Sequence, residues 1–307
     1  YGLVGSEMCI RDRHNIFSRV IGLGIICFAA MACNSGASAK NDNDTKITMD
    51  NTQTPDTTSA RVEVETTEGN FTVLLYGDTP KHRDNFLKLA REGYYNGTLF
   101  HRIIKDFMIQ AGDPDSKNAA PGQQLGAGGP GYKIDAEIVF PKHFHKRYTL
   151  AAARQGDQVN PMRQSSGSQF YVVTGTKLDS AQVAQMEQRL KMGRMQKAFN
   201  DLAMKHRDSI QAMQMRGDRA GLKALQDTLV AQVEAQAAND TTPAMTPEMK
   251  AAYTTVGGAP HLDGDYTVFG EVIDGFDTVD RIEKAETDGR DRPNKDIRII
   301  GMKVLNQ

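Results

Sequence analysis

Apolar and polar positions alternate from Arg61 to Thr67 (RVEVETT) and again from Asn70 to Tyr76 (NFTVLLY), with Glu68-Gly69 between them. A period of two puts every second side chain on one face of a strand, so the pair predicts a β-hairpin turning at Glu68-Gly69. Thr79-Pro80 then offers an N-cap followed by proline at the first helical position. Phe86, Leu87, Leu89 and Ala90 supply one apolar face, and Gly93 ends the element. Further strand-like runs cover Leu99–Ile104, Phe107–Gln110, Tyr148–Ala153, Gln169–Val173, Tyr266–Ile273 and Ile297–Leu305, with a second short helix over Phe276–Ile282. Many strands and two short helices predict an antiparallel barrel with helices at its ends.

The period changes between Ser180 and Ala238. Val183, Met186, Leu190, Phe199, Leu202, Ile210 and Met213 recur at threes and fours or near multiples, and Leu222, Leu225, Leu229 and Val233 repeat this after Gly217-Asp218. The spacing predicts a helical hairpin inserted over 178–257 into a domain spanning 61–307. A further short helix starts at Thr246-Pro247-Glu248. Two readings of the methionines in this segment (186, 192, 195, 204, 213 and 215) stand side by side: they pack the helices together, or they hold client chains on an adaptable surface.

Near the start, Val20–Ala32 (VIGLGIICFAAMA) is an apolar run of thirteen preceded by Arg19. A bilayer needs about 20 apolar residues, so this run reads as a signal peptide over 14–32. It ends at Ala32-Cys33, a lipobox-like junction that predicts lipidation of Cys33, with an ordinary signal peptide as the alternative. The polar stretch to position 60 reads as a tether. Tyr1–Arg13 fits no element and reads as a spurious leader, with the natural start near His14. The expectation is a lipid-anchored domain in the envelope of a Gram-negative-type bacterium, on the periplasmic side or the outer surface.

Composition narrows the function classes. The net charge of −1, with 24% charged residues, gives no global attraction to nucleic acid. All three cysteines (9, 27 and 33) lie near the start of the chain, none beyond position 33, so neither a disulfide nor a Cys-based metal site is expected in the folded part. His143 and His145 fall in the basic stretch KHFHKR and read as part of a solvated loop.

Phe100–Gln110 reads FHRIIKDFMIQ. On a strand, Phe107 and Ile109 would face one way and Met108 and Gln110 the other. An arginine among such side chains is either paired in a salt bridge or faces a pocket that needs a fixed cation. His101 beside it reads as a packing or hydrogen-bonding residue.

The run FHRIIKDFMIQAGDP resembles the signature of the cyclophilins. SGSQFYVVTG (166–175) and HLDGDYTVFGEVIDGFDTVDRI (261–282) resemble the family's later blocks, in its order. The resemblance covers Arg61 to Gln307 except the insertion, and it implies a mainly β fold: a closed eight-stranded barrel capped by two helices. It also implies peptidyl-prolyl cis/trans isomerase activity on proline-containing polypeptides, with no cofactor or metal, in a monomer. By the family match, Arg102 and Gln110 are the catalytic pair. Phe107, Met108, Tyr171 and Leu262 line the proline pocket, Ala153 and Arg154 bind the peptide main chain, and His261 and Tyr266 complete the site. Tyrosine at 171 departs from the family's frequent phenylalanine. His261 and Arg154 replace the tryptophan and asparagine of eukaryotic members, so weak cyclosporin binding is expected. A proline-peptide-binding chaperone module with little catalysis is the competing function.

Overall fold

The computed structural model describes residues 58–305. The leader, the signal peptide, Cys33 and nearly all of the tether lie outside the described residues. The described chain falls into two compact units, Lys191–Thr242 and the remainder.

The larger unit is mainly β. Strands β1 (Ala60–Thr66) and β2 (Gly69–Leu75) form the predicted hairpin, with Val62, Val64, Phe71, Val73 and Leu75 alternately buried. Thr66 pairs with Gly69, so the turn residues are Thr67-Glu68, one position earlier than the pattern suggested. The Thr66 hydroxyl fixes the turn by donating to the Gly69 carbonyl at 2.6 Å and accepting from the Glu68 amide.

Helix α1 (Pro80–Arg91) follows. Thr79 stands at the N-cap, but its hydroxyl donates back to the Tyr76 carbonyl. The first helical amides of Lys81 and His82 are accepted by the Glu137 carboxylate instead, both at 3.0 Å. A distant acid thus does the work expected of the local threonine.

Strands β3 (Arg102–Ile104), β4 (Met108–Ala111), β5 (Lys133–Ile134), β6 (Thr149–Arg154), β7 (Ser165–Val173), β8 (Val268–Asp274) and β9 (Ile299–Leu305) join the hairpin in one curled antiparallel sheet, a half-barrel. Its order is β3-β4-β7-β6-β8-β2-β1-β9, with β5 beside β7. The expected closed eight-stranded barrel is replaced by nine strands in an open order. Just before β3 the chain meets the β9 side through an isolated bridge, Leu99 with Arg298, and backbone contacts such as Gly97 N to Ile299 O (2.8 Å) and Phe100 N to Ile297 O (2.9 Å). β3 is three residues long, too short to carry a continuous closing ladder.

The main core fills the sheet. Phe86 and Leu87 from α1 and Val279 and Ile282 from helix α6 (Phe276–Glu283) cover it, and Ile109, Leu150 and Val172 contribute from the strands.

The segment predicted as a two-helix hairpin contains three helices: α2 (Ser180–Lys205), α3 (Arg207–Met215) and α4 (Arg219–Asn239). The break falls at His206, whose amide is shared between the Leu202 and Ala203 carbonyls. Leu202 and Ile210 stand eight positions apart, a step that continues the helical spacing, so the apolar period gave no sign of the break. Phe199, Leu229 and Val233 form the core of the smaller unit, with Met195 against it, whereas Met204 and Met215 are exposed. In the larger unit, the start of α2 (Val183 and Met186) packs with Phe144, Met245, Met249 and Tyr253, the last two from α5 (Pro247–Thr255). Among the described residues no helix is long and apolar enough to cross a membrane.

Candidate functional site

Register builds the site. Arg102 on β3 pairs with Gln110 on β4, Gln110 with Tyr171 on β7, and Tyr171 with Ala151 on β6. Side chains directly opposite in antiparallel strands share a face, so one row across the sheet presents a guanidinium, an amide and an aromatic ring side by side. Met108 lies two residues from Gln110 on the same face, while Ile109 points into the main core. Phe107 precedes β4 and escapes the alternation. It follows Asp106, which has a positive φ of 61° and is held by its amide to Glu283, and its ring turns to the same side as Met108.

The cleft so formed is lined by Arg102, Phe107, Met108, Gln110, Ala153, Arg154, Tyr171, Leu262 and Tyr266. Nine of the ten residues read from the sequence as catalytic or substrate-binding therefore come together. The tenth, His261, is not among the residues lining the cleft; its ring lies 5.1 Å from that of Phe107. His101 is buried beside the cleft without lining it.

The groups differ in how strongly the protein holds them. The Arg102 side chain is 45% exposed, and its Nε lies 3.4 Å from an Asp291 carboxylate that is 43% exposed. A single long contact between half-exposed partners is worth about 0–1 kcal/mol, so the guanidinium is not locked. Arg154 is the opposite case. Its side chain is 5% exposed, lies 4.4 Å over the Tyr266 ring, and donates to the Asp265 carbonyl (2.9 Å) and the Asp157 carboxylate (2.6 Å). It braces the wall. Ala153 falls at a register shift between Ala152 and Arg154, so its peptide groups are not used in the β6–β7 ladder.

Sequence reasoning did not single out Gln169, although it lies within the quoted run SGSQFYVVTG. Gln169 is buried, accepts from Gln110 Nε2 at 3.0 Å and donates to the carbonyls of Gly126 and Gly128. The Gln110 amide is thus oriented by Gln169 from the side away from Arg102. A glutamine three residues after a serine-glycine pair gives no local signal for this role.

His145 was also misread. The basic flanks suggested a solvated loop, but the His145 side chain is 1% exposed. Its Nδ1 lies 3.0 Å from Asp263 Oδ1, and its Nε2 lies 3.0 Å from the Tyr171 hydroxyl. Burial, with the nearby Asp263 carboxylate, drives the Tyr171 phenol well above its usual range, so it is neutral. Among the described residues no group of three or more His, Cys, Asp or Glu side chains is placed to hold a metal ion.

The family model for the cyclophilin type peptidyl-prolyl cis-trans isomerases matches residues 61–212 and 249–304, more than half of the chain. A putative bifunctional phosphatase/peptidyl-prolyl cis-trans isomerase of Streptococcus pyogenes is 30% identical over 252 residues, covering 81% of this chain. The chain spans only 39% of that relative's length. A putative peptidyl-prolyl cis-trans isomerase of Staphylococcus saprophyticus is 28% identical, with 79% of this chain and 90% of the relative covered. Among solved structures, a Cryptosporidium parvum cyclophilin type peptidyl-prolyl cis-trans isomerase is 21% identical, with a TM-score of 0.47 over 81% of this chain and 99% of its own. By the family model, whose matched residues include every residue lining the cleft, the chain belongs to the cyclophilin-type peptidyl-prolyl cis-trans isomerase family.

Proposed function

We propose that the cleft binds proline-containing polypeptides and catalyses rotation about the Xaa-Pro bond. Rotation about a peptide bond faces a barrier of roughly 18–20 kcal/mol because the twisted state loses C–N resonance. Both isomers of an Xaa-Pro bond are populated, so the uncatalysed exchange takes tens to hundreds of seconds. Catalysis requires only that the twisted imide be bound better than either planar form. Neither a nucleophile nor a proton shuttle is needed.

The residues divide this work. Phe107, Met108, Tyr171 and Leu262 offer an apolar slot for the pyrrolidine ring. Arg102 directs a permanently charged, planar set of N–H donors at the prolyl nitrogen and the neighbouring carbonyl as the bond twists. Gln110, oriented by Gln169, meets the substrate main chain, and the peptide groups of Ala153 lie along the same edge. Arg154, His261 and Tyr266 shape the wall.

The observation that carries this reading is the half-exposed, weakly paired Arg102 guanidinium in the same cleft as the apolar slot. Cis/trans exchange of a short Xaa-Pro peptide, followed by NMR, tests it. The wild type accelerates exchange, and Arg102→Ala lowers the catalysed rate about a hundred-fold, the usual scale for losing a charge-stabilising donor. A wild type that binds the peptide without accelerating exchange would favour a peptide-binding module over an isomerase, and a wild-type rate that survives Arg102→Ala would remove Arg102 from the catalysis.

A further inference from the structure

Behind the cleft, four side chains from four separate segments form one buried hydrogen-bonded line. The Tyr171 hydroxyl meets His145 Nε2 at 3.0 Å. His145 Nδ1 and its own backbone amide both approach Asp263 Oδ1, at 3.0 and 2.8 Å. Tyr253, on α5, donates its hydroxyl to Asp263 Oδ2 at 2.6 Å. The side chains of His145 and Asp263 are 1% and 0% exposed, and Tyr253 is fully buried.

Partner chemistry assigns the protons. A carboxylate only accepts, so His145 Nδ1 donates to Asp263, and the tautomer that does so leaves Nε2 as the acceptor for the Tyr171 hydroxyl proton. The phenol therefore points its proton into the protein and presents its ring to the cleft. Two of the segments carry cleft residues directly: Tyr171 is the floor, and Asp263 follows Leu262 in the wall. The other two do not reach the cleft. Tyr253 is anchored in the cluster of Phe144, Met245 and Met249, with Phe144 edge-on to its ring at 5.6 Å. Gly258 (φ 151°) lets the chain pass so close that a Cβ there would collide with the His145 carbonyl. The line is thus fixed at its far end by packing and at its near end by the pocket floor.

We propose that Tyr253 and His145 are positioning residues that hold the floor and the Leu262 wall of the cleft at the spacing that grips the prolyl ring, and so set substrate affinity without touching substrate. The inference rests on the isomerase reading of the cleft. It differs from that reading in assigning binding, rather than rate, to residues on α5 and the 143–146 loop.

The test compares the wild type with Tyr253→Phe and Tyr171→Phe, each of which keeps its ring and loses one hydroxyl. Each variant raises KM for a short Xaa-Pro peptide about five-fold, the scale of one buried hydrogen bond, and in Tyr253→Phe, which lies outside the cleft, kcat stays within about two-fold. In a double-variant cycle, Tyr171→Phe adds nothing once His145→Ala is present, because the hydroxyl has already lost its partner. The nitrogen-15 spectrum of His145 supplies a signature that a merely structural role would not move: Nδ1 protonated and Nε2 accepting in the wild type, with Nε2 shifting in Tyr171→Phe. Folded Tyr253→Phe and Tyr171→Phe proteins with wild-type KM would overturn the proposal. Should the wild type bind the peptide without catalysing its exchange, the isomerase reading falls, and peptide Kd in the same variants decides the relay.

Discussion

At the β3 end of the cleft, Arg102 keeps 45% of its side chain in water and touches a single carboxylate at 3.4 Å. At the opposite wall, Asp263 is wholly buried and accepts from His145 twice and from Tyr253 once. Both ends bring an ionisable group to the same slot, but one leaves its hydrogen-bonding capacity free and the other uses it up. A group that must act on a changing substrate has to find its partner in the reaction. A group that must hold geometry has to find its partners in the fold. Arg154 shows that the difference is not one of residue type: as an arginine at the same cleft, it is stacked, paired and 5% exposed, and it belongs with the holding groups.

The largest effect on stability is expected where saturation is removed. Asp263→Ala leaves the His145 ring, the His145 amide and the Tyr253 hydroxyl without their acceptor in a dry site, and it should cost about 3 kcal/mol or more in chemical denaturation. A loss below about 1 kcal/mol, the scale of an exposed pair, would erase the contrast between the two ends.

The contrast sharpens across one peptide bond. His101 precedes the exposed Arg102, yet it is buried, and burial pushes its imidazole down to about 4 against the opposing pull of the Asp113 carboxylate. The folded pKa lies below the unfolded value of 6.5, so between these two pH values the unfolded chain binds more protons. Stability is therefore full above about pH 6.5 and declines as the pH falls toward 4, by on the order of 3 kcal/mol from this residue. Over that window the wild type should lose stability relative to His101→Phe as the pH is lowered, read from denaturation midpoints. Parallel pH dependences would show that His101 does not titrate in this way.

The smallest effect is expected at Asp291. Asp291→Asn, which keeps a residue suited to the positive φ of 64° at this position, should change stability by less than about 1 kcal/mol and leave isomerisation within about two-fold, because the pair is exposed and long. A ten-fold change in rate would mean that Arg102 depends on Asp291 and is not free.

Much of this arrangement was legible from local pattern. The first hairpin follows from strict alternation, and FHRIIKDFMIQ places Arg102, Met108 and Gln110 on neighbouring strands. What stayed hidden depends on partners far along the chain. KHFHKR looks solvated because five of its six residues are lysine, arginine or histidine, yet the acceptor that draws His145 inward lies 118 positions away. Thr79 looks like the cap of α1, but Glu137, more than fifty residues on, accepts the helix's first amides. The break at His206 has neither proline nor glycine to announce it, and the apolar spacing runs across it unchanged. Burial of a polar residue is decided by the partner it meets, and local periodicity does not report on that partner.

The central claim is that the free guanidinium lowers the barrier while the saturated wall provides the grip. Measuring kcat and peptide Kd together for Arg102→Ala tests it most directly. The account predicts a fall in kcat of about a hundred-fold with Kd within about three-fold, because the arginine acts on the twisted bond rather than on the resting peptide. A variant that loses affinity in proportion while turning over at the wild-type kcat would contradict it.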